Sequence, residues 1–179
     1  MKEEKTVFYP YSSWLKQRYG EKVYKLPVNL PVSCPNRCDG HGGCTFCSEK
    51  GTGFESVWQP ASVTEQMQHA RDVVAKRYKA RKFIAYFQNY TNTFMAMELF
   101  KAYLEEAAAF PDVVEISVST RPDCIRTDYL ACLAELQERT HVGINIELGL
   151  QTANYHTLDR VHRGHGLAEY IDAVLAIKR

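Results

Sequence analysis

The chain of 179 residues predicts an α/β fold with a parallel sheet, on three observations. Four short runs dense in apolar and β-branched residues alternate with segments of helical period. Each run is followed at once by a polar loop. No internal repeat, low-complexity tract or long linker interrupts the alternation, so the chain reads as one unit.

The elements follow in order. The first strand-like run, KVYKLPVNLPVS (22–33), ends directly at Cys34. A helix follows in SVTEQMQHARDVVAKRYKA (62–80), opened by a capping box of Ser62 and Glu65. Its period places Met67, Ala70, Val74 and Tyr78 on one face. The second strand is KFIAYFQ (82–88), and the RYKARK charge run before it reads as a solvated helix end. MELFKAYLEEAAAF (97–110) is helical, with Leu99, Phe100, Tyr103, Leu104 and Ala107 on its apolar face. The third strand is VVEISVS (113–119), the next helix TDYLACLAELQER (127–139), the fourth strand VGINIEL (142–148) and the last helix LAEYIDAVLAIKR (167–179). All four strands read as buried on both faces. Right-handed crossovers would join them. Periodicity does not distinguish an open sheet from a barrel.

In either architecture, ligands gather at the carboxyl ends of the strands. The cysteine loop follows the first strand, QNYTNT the second, STRPDC the third and ELGLQT the fourth. Four polar loops are therefore expected on one face.

The balance of charge is +1, with 45% hydrophobic residues. This gives no electrostatic ground for an obligatory nucleic acid or anionic membrane partner. The opening MKEEKTVFYPYSSW has no secretory apolar run, and no stretch reaches membrane-spanning length. A reducing, cytoplasmic location is expected, where clustered cysteines serve as metal ligands or redox thiols rather than as disulfides.

Four of the six cysteines lie in SCPNRCDGHGGCTFC, with three, five and two residues separating Cys34, Cys38, Cys44 and Cys47. Glycines between them let the backbone fold closely. Four thiolates could complete a tetrahedral zinc site or hold an iron–sulfur cluster. The spacing leaves both open.

The segments CPNRCDGHGGCTFC, YFQNYTNTF, SVSTRPDC, ELGLQT and RVHRGH, in this order, resemble radical S-adenosylmethionine (SAM) proteins of the YhcC type, which are related to the radical SAM domain of the Elongator catalytic subunit. The resemblance spans roughly residues 8–179. It implies a partial (βα)6 TIM-like barrel, with 1–179 as the N-terminal portion of a radical SAM core domain. About four βα units are present, and strands five and six are not. The strand Val142–Leu148 would then lie at an unpaired edge, an aggregation liability.

The same resemblance implies a [4Fe–4S] cluster on Cys34, Cys44 and Cys47, with a fourth iron open to SAM. SAM would be cleaved reductively to a 5′-deoxyadenosyl radical that activates a substrate the sequence does not identify. RNA is a weakly supported substrate, and the electron donor would be a low-potential protein such as flavodoxin or ferredoxin. Phe46 matches an aromatic position beside the adenine. The segment Gln88 to Asn92 stands where a Gly-rich motif receives the SAM amino group. Ser119, Arg121, Glu147, Gln151 and Arg163 match polar positions for SAM or substrate contact.

The chain departs from the family pattern at Cys38, which intrudes before Asp39 in a shortened loop. Cys38 reads as a bystander. It could instead displace Cys44, or close the open iron. The rival class is a zinc-binding structural or interaction domain that uses all four loop thiols.

Blander readings stand beside these. Cys132 reads as core and Cys124 as packing. His41 reads as solvated, while His162 and His165 could cap a helix. Glu147, at the end of a buried run, needs a partner, for which Arg121 and Arg163 are the expected bidentate candidates. Tyr86 and Tyr90 could stack on a base, though packing explains them as well.

Overall fold

The computed structural model describes residues 7–38, 40, 42–47 and 61–179. His41 and Asp39 lie outside them. Four parallel strands form one sheet in the order β1 (Val23–Val28), β2 (Lys82–Phe87), β3 (Val113–Thr120), β4 (Gly143–Leu148). The order follows the sequence without a reversal, as in a barrel arc and unlike a doubly wound sheet. β1 and β4 form its two edges.

The strands have two unlike faces. Leu26, Val28, Phe83, Ala85, Phe87, Ile116 and Val118 join the main core. Against them pack Val63 and Met67 of α3 (Val63–Tyr78), Phe100, Leu104 and Ala107 of α4 (Met97–Ala108), and Tyr129, Leu133 and Leu136 of α5 (Thr127–Thr140). Each fully buried Leu or Phe stabilises by roughly 1.5–3 kcal/mol, so this face supplies most of the drive to fold. The Ser62–Glu65 capping box is present at the start of α3. Leu99, expected on the apolar face of α4, is instead exposed, because the buried stripe runs through Phe100, Leu104 and Ala107.

The opposite face is largely polar, yet Ile84, Glu115 and Ser117 are buried on it, so β2 and β3 are covered on both sides as expected while β4 is only half-buried. Register places Lys25, Ile84, Glu115 and Gly143 in one row and Pro27, Tyr86, Ser117 and Asn145 in the next. Ser119 and Glu147 stand side by side above them. The Lys25 ammonium lies 2.6 Å from the Glu147 carboxylate. In a flat sheet, strands one and four would be about 14 Å apart at ~4.8 Å per step, beyond the reach of these two side chains. The sheet therefore curls, and its polar face is the concave one.

Three helices went unnoticed in the sequence: one before β1, one inside the cysteine loop and one just after β4. α1 (Tyr11–Tyr19) ends at Gly20, whose left-handed backbone (φ +79°) returns its N–H to Lys16 O. Its Leu15 packs with Val23 and Ile84 in a second cluster. Tyr19 donates to Glu115 (2.7 Å), and Lys82 donates to the Tyr19 carbonyl (2.8 Å). α1 thereby closes the amino end of the concave face. α2 (Pro35–Cys38) is a single turn inside the cysteine loop. Two further helices, α6 (Tyr155–Arg160) and α7 (Leu167–Lys178), follow β4. No described helix is long and apolar enough to cross a membrane.

Candidate functional site

A pocket of about 280 Å³ opens at the carboxyl ends of the strands. All four polar loops reach it: Cys34, Cys44, Phe46 and Cys47 from the first, Gln88, Tyr90 and Thr91 from the second, Arg121 from the third, Gly149 and Gln151 from the fourth. Ser119, Glu147 and Tyr86 line it from the concave face, and Arg163 from the turn after α6.

The cysteine loop folds by its own backbone bonds. Arg37 N–H donates to Cys34 O, Gly43 N–H to Asn36 O and Cys47 N–H to Cys44 O, each at 2.9 Å. Asn36, nearly fully buried, has its Nδ2 within reach of the His162 carbonyl (2.5 Å), the Arg163 carbonyl (2.9 Å) and the Cys44 sulfur (3.3 Å), so its two N–H groups are shared among three acceptors. Arg121 is fixed by two bonds to Asp123, at 2.9 and 2.6 Å, and donates to the Cys34 sulfur at 3.3 Å. Arg163 donates to the Gly149 carbonyl (2.8 Å) and to the Cys44 sulfur (3.6 Å). Gly164 makes this packing feasible. A Cβ there would lie 2.5 Å from Asn36 Oδ1 and 3.0 Å from Arg121 Nη2, and its φ of +75° is itself a glycine conformation.

Cys38 does not share this environment. Its thiol is exposed, 3.8 Å from the Ser33 hydroxyl, and does not line the pocket. Among the described residues, no group of three or more His, Cys, Asp or Glu side chains is gathered as a single ion needs. A four-iron cluster asks for something different, one thiolate at each of three separate irons. Cys34, Cys44 and Cys47 all line the pocket, and N–H donors already reach two of their sulfurs, which suits that donor chemistry. Cys124 is half-buried, and burial followed by the nearby Asp123 carboxylate pushes its thiol up to about 12, so it stays protonated. Cys132 packs partly buried against the main core.

Glu147 is partnered differently from expectation. Its cation is Lys25, not Arg121 or Arg163, both of which are held elsewhere. Tyr86 donates to it at 2.7 Å and Ser119 at 3.2 Å, while the Lys25 ammonium also sits 3.7 Å from the Tyr86 ring centre. Burial alone would raise this carboxyl. Donation from Lys25 and Tyr86 outweighs it and holds Glu147 below its ordinary value.

Asn92 also differs. It is fully buried and absent from the pocket wall, and its Nδ2 donates to Phe87 O (3.0 Å) and Ser119 O (2.9 Å). It ties the ends of β2 and β3 together. His165 is buried beside Arg163, and burial, then that guanidinium, lowers its pKa. It precedes Gly166, whose N–H is capped by Glu169 rather than by an imidazole. Tyr90 packs near the Arg37 guanidinium, 5.4 Å from its ring centre. Lys25, Asn36, Asp123 and Gly164 were not singled out from the sequence. The alternation of Lys25 with the core-facing Tyr24 and Leu26 was the readable signal for the first.

The chain is similar to several proteins over most of its own length. It is 38% identical to the uncharacterised protein YtqA of Bacillus subtilis (strain 168) over 168 residues, 92% of this chain and 51% of that one. Against YhcC of Escherichia coli (strain K12) the identity is 39% over 158 residues, 87% of this chain and 50% of YhcC. An uncharacterised protein of Methanocaldococcus jannaschii is 31% identical over 169 residues, 94% of this chain and 52% of the other. The chain thus spans about half the length of the curated relatives it matches. Residues 29–179, from the end of β1 through the cysteine loop to the last helix, match the Radical SAM superfamily. With four parallel strands in barrel order and the thiols at their carboxyl ends, the chain belongs to the radical SAM superfamily.

Proposed function

We propose that Cys34, Cys44 and Cys47 hold a [4Fe–4S] cluster with one iron left for S-adenosylmethionine, making the chain part of a radical SAM enzyme. The single observation supporting this most directly is that these three thiols, and not Cys38, share one pocket with polar groups from all four strand ends. The bound cluster and SAM would supply, on one-electron reduction, a 5′-deoxyadenosyl radical for hydrogen abstraction.

The chain's own residues bind and orient. Phe46 is more than half exposed at the pocket rim and offers a face to the adenine. The strand-end backbone from Gln88 to Thr91, with Gln151 and Arg163, presents polar groups to the amino and carboxylate ends of SAM. A Cβ at Gly149 would lie 2.9 Å from both Arg163 Nη2 and Gln151 Nε2, so the glycine lets these two side chains converge. Glu147, kept ionised by Lys25, and Ser119 offer acceptors deeper in the pocket. Arg121 faces the cysteines rather than open space. Asn92 supports the site by holding the strand ends in register.

The location is proposed as cytoplasmic, the electron donor as a low-potential protein such as flavodoxin or ferredoxin, and the substrate belongs to the whole protein. A zinc domain built on all four loop thiols would require Cys38 to turn inward from its exposed position.

The test is anaerobic reconstitution followed by assay of iron, sulfide and zinc. About four iron and four sulfide per chain are expected. Cys38→Ser should retain them, and Cys44→Ser should lose them. Tightly held zinc that iron cannot displace, or equal loss in both variants, would overturn the ligand assignment.

A further inference from the structure

Three buried N–H donors converge on two of the proposed ligand sulfurs. Arg121 Nη1 lies 3.3 Å from Cys34 Sγ, Asn36 Nδ2 lies 3.3 Å from Cys44 Sγ, and Arg163 Nη1 lies 3.6 Å from the same sulfur. Each donor side chain is more than nine-tenths buried. None is free to swing away. Arg121 is clamped by both oxygens of Asp123, Arg163 by the Gly149 carbonyl, and Asn36 by the Arg163 carbonyl.

Two guanidiniums beside thiols are more than packing requires. Burying a cation is costly unless its charge is answered. Asp123 answers Arg121, but Arg163 has only carbonyl and thiol neighbours among its hydrogen-bond partners in the described residues, and its Nε is buried there without a protein partner. An anionic sulfur at Cys44 would supply the missing charge.

We propose that Arg121 and Arg163 are positioning residues that hold the Cys34 and Cys44 thiolates and raise the reduction potential of the cluster they carry. The proposal rests on the cluster reading above. The reduced cluster bears one more negative charge than the oxidised one. A fixed cation and N–H donor at a ligand sulfur therefore stabilise the reduced form more. Asn36 adds a neutral donor in the same sense. The cysteine loop so arranged would accept an electron more readily than the same thiols in water.

The test compares the unmodified chain with Arg121→Gln and Arg163→Gln, each reconstituted anaerobically and kept free of SAM. Iron and sulfide are counted, and the midpoint potential is read by a redox titration followed by electron paramagnetic resonance. Each glutamine variant is expected to load a cluster whose midpoint is more negative. The ratio of reduced to oxidised cluster at the unmodified midpoint should fall about tenfold, ~59 mV for a one-electron couple. Equal loading with unmoved midpoints overturns the inference and leaves the cluster reading intact. An unmodified chain that takes up no iron and sulfide overturns both. Should a glutamine variant fail to load, the uncharged methionine variant at that position is read instead. A midpoint below the unmodified chain's then supports the assignment, since both the cation and its N–H donors are gone. An unchanged midpoint overturns it.

Discussion

Lys25 and Glu147 meet at 2.6 Å across the concave face, one from each edge strand of the sheet. This ion pair closes an arc that backbone hydrogen bonds leave open. About a third of each side chain is exposed, so solvent screening keeps its worth modest. Lys25→Met should cost about 1 kcal/mol in urea unfolding. In a double-mutant cycle with Glu147→Gln, the two losses should not add. Strict additivity would show that the pair contributes nothing.

The same carboxylate predicts a pH dependence. Glu147 titrates lower in the folded chain than in the unfolded one, since donation from Lys25 and Tyr86 outweighs burial. A depressed folded pKa means that its stabilisation is fully present above the unfolded value, about 4.3. It is lost as pH falls through the folded value. The stability gap between the unmodified chain and Glu147→Gln should be the same at pH 7 and pH 6, and should shrink below pH ~4. A gap that widens on acidification would reverse the sign.

Asn92 offers a purely structural test. Its amide satisfies two backbone carbonyls in a fully buried setting. Asn92→Ala should destabilise by about 2–3 kcal/mol, because both acceptors lose a donor and water cannot readily replace it. Chemical denaturation checks this. A loss within experimental scatter would mean that the strand ends hold their register without it.

Gly164→Ala probes the packing behind the thiols. The added methyl would meet Asn36 Oδ1 at 2.5 Å and Arg121 Nη2 at 3.0 Å, in a backbone conformation that alanine resists. Strain of about 1–2 kcal/mol is expected, together with a lower yield of cluster on reconstitution. Undiminished iron and sulfide would show that the loop can hold its thiols with both donors displaced.

The main elements were legible where one physical signal dominated. β2, β3 and β4 and the three helices of the main core follow from apolar runs and helical period. The Ser62–Glu65 box marks the start of α3 because both halves of that cap are local. The polarity of the concave face was missed because Ile144, Ile146 and Leu148 dominate the reading of β4, while Asn145 and Glu147 between them look like interruptions. α1 was overlooked even though Pro10 and Gly20 bracket it as helix punctuation. At the site, the residue types were readable but their partners were not. Arg121 was a plausible mate for Glu147 until the curl of the sheet brought Lys25 closer, and long-range pairings of that kind depend on curvature that no local window contains.

The cysteine loop also has a place in time. Its backbone is completed by partners more than a hundred residues further along the chain: Thr45 N–H bonds to the Val161 carbonyl, and Asn36 bonds to the carbonyls of His162 and Arg163. A ribosome has made every thiol of the loop long before it makes those carbonyls. The loop therefore cannot take its final shape early in synthesis. Any cofactor that depends on that shape is received late, after all four strands are in place.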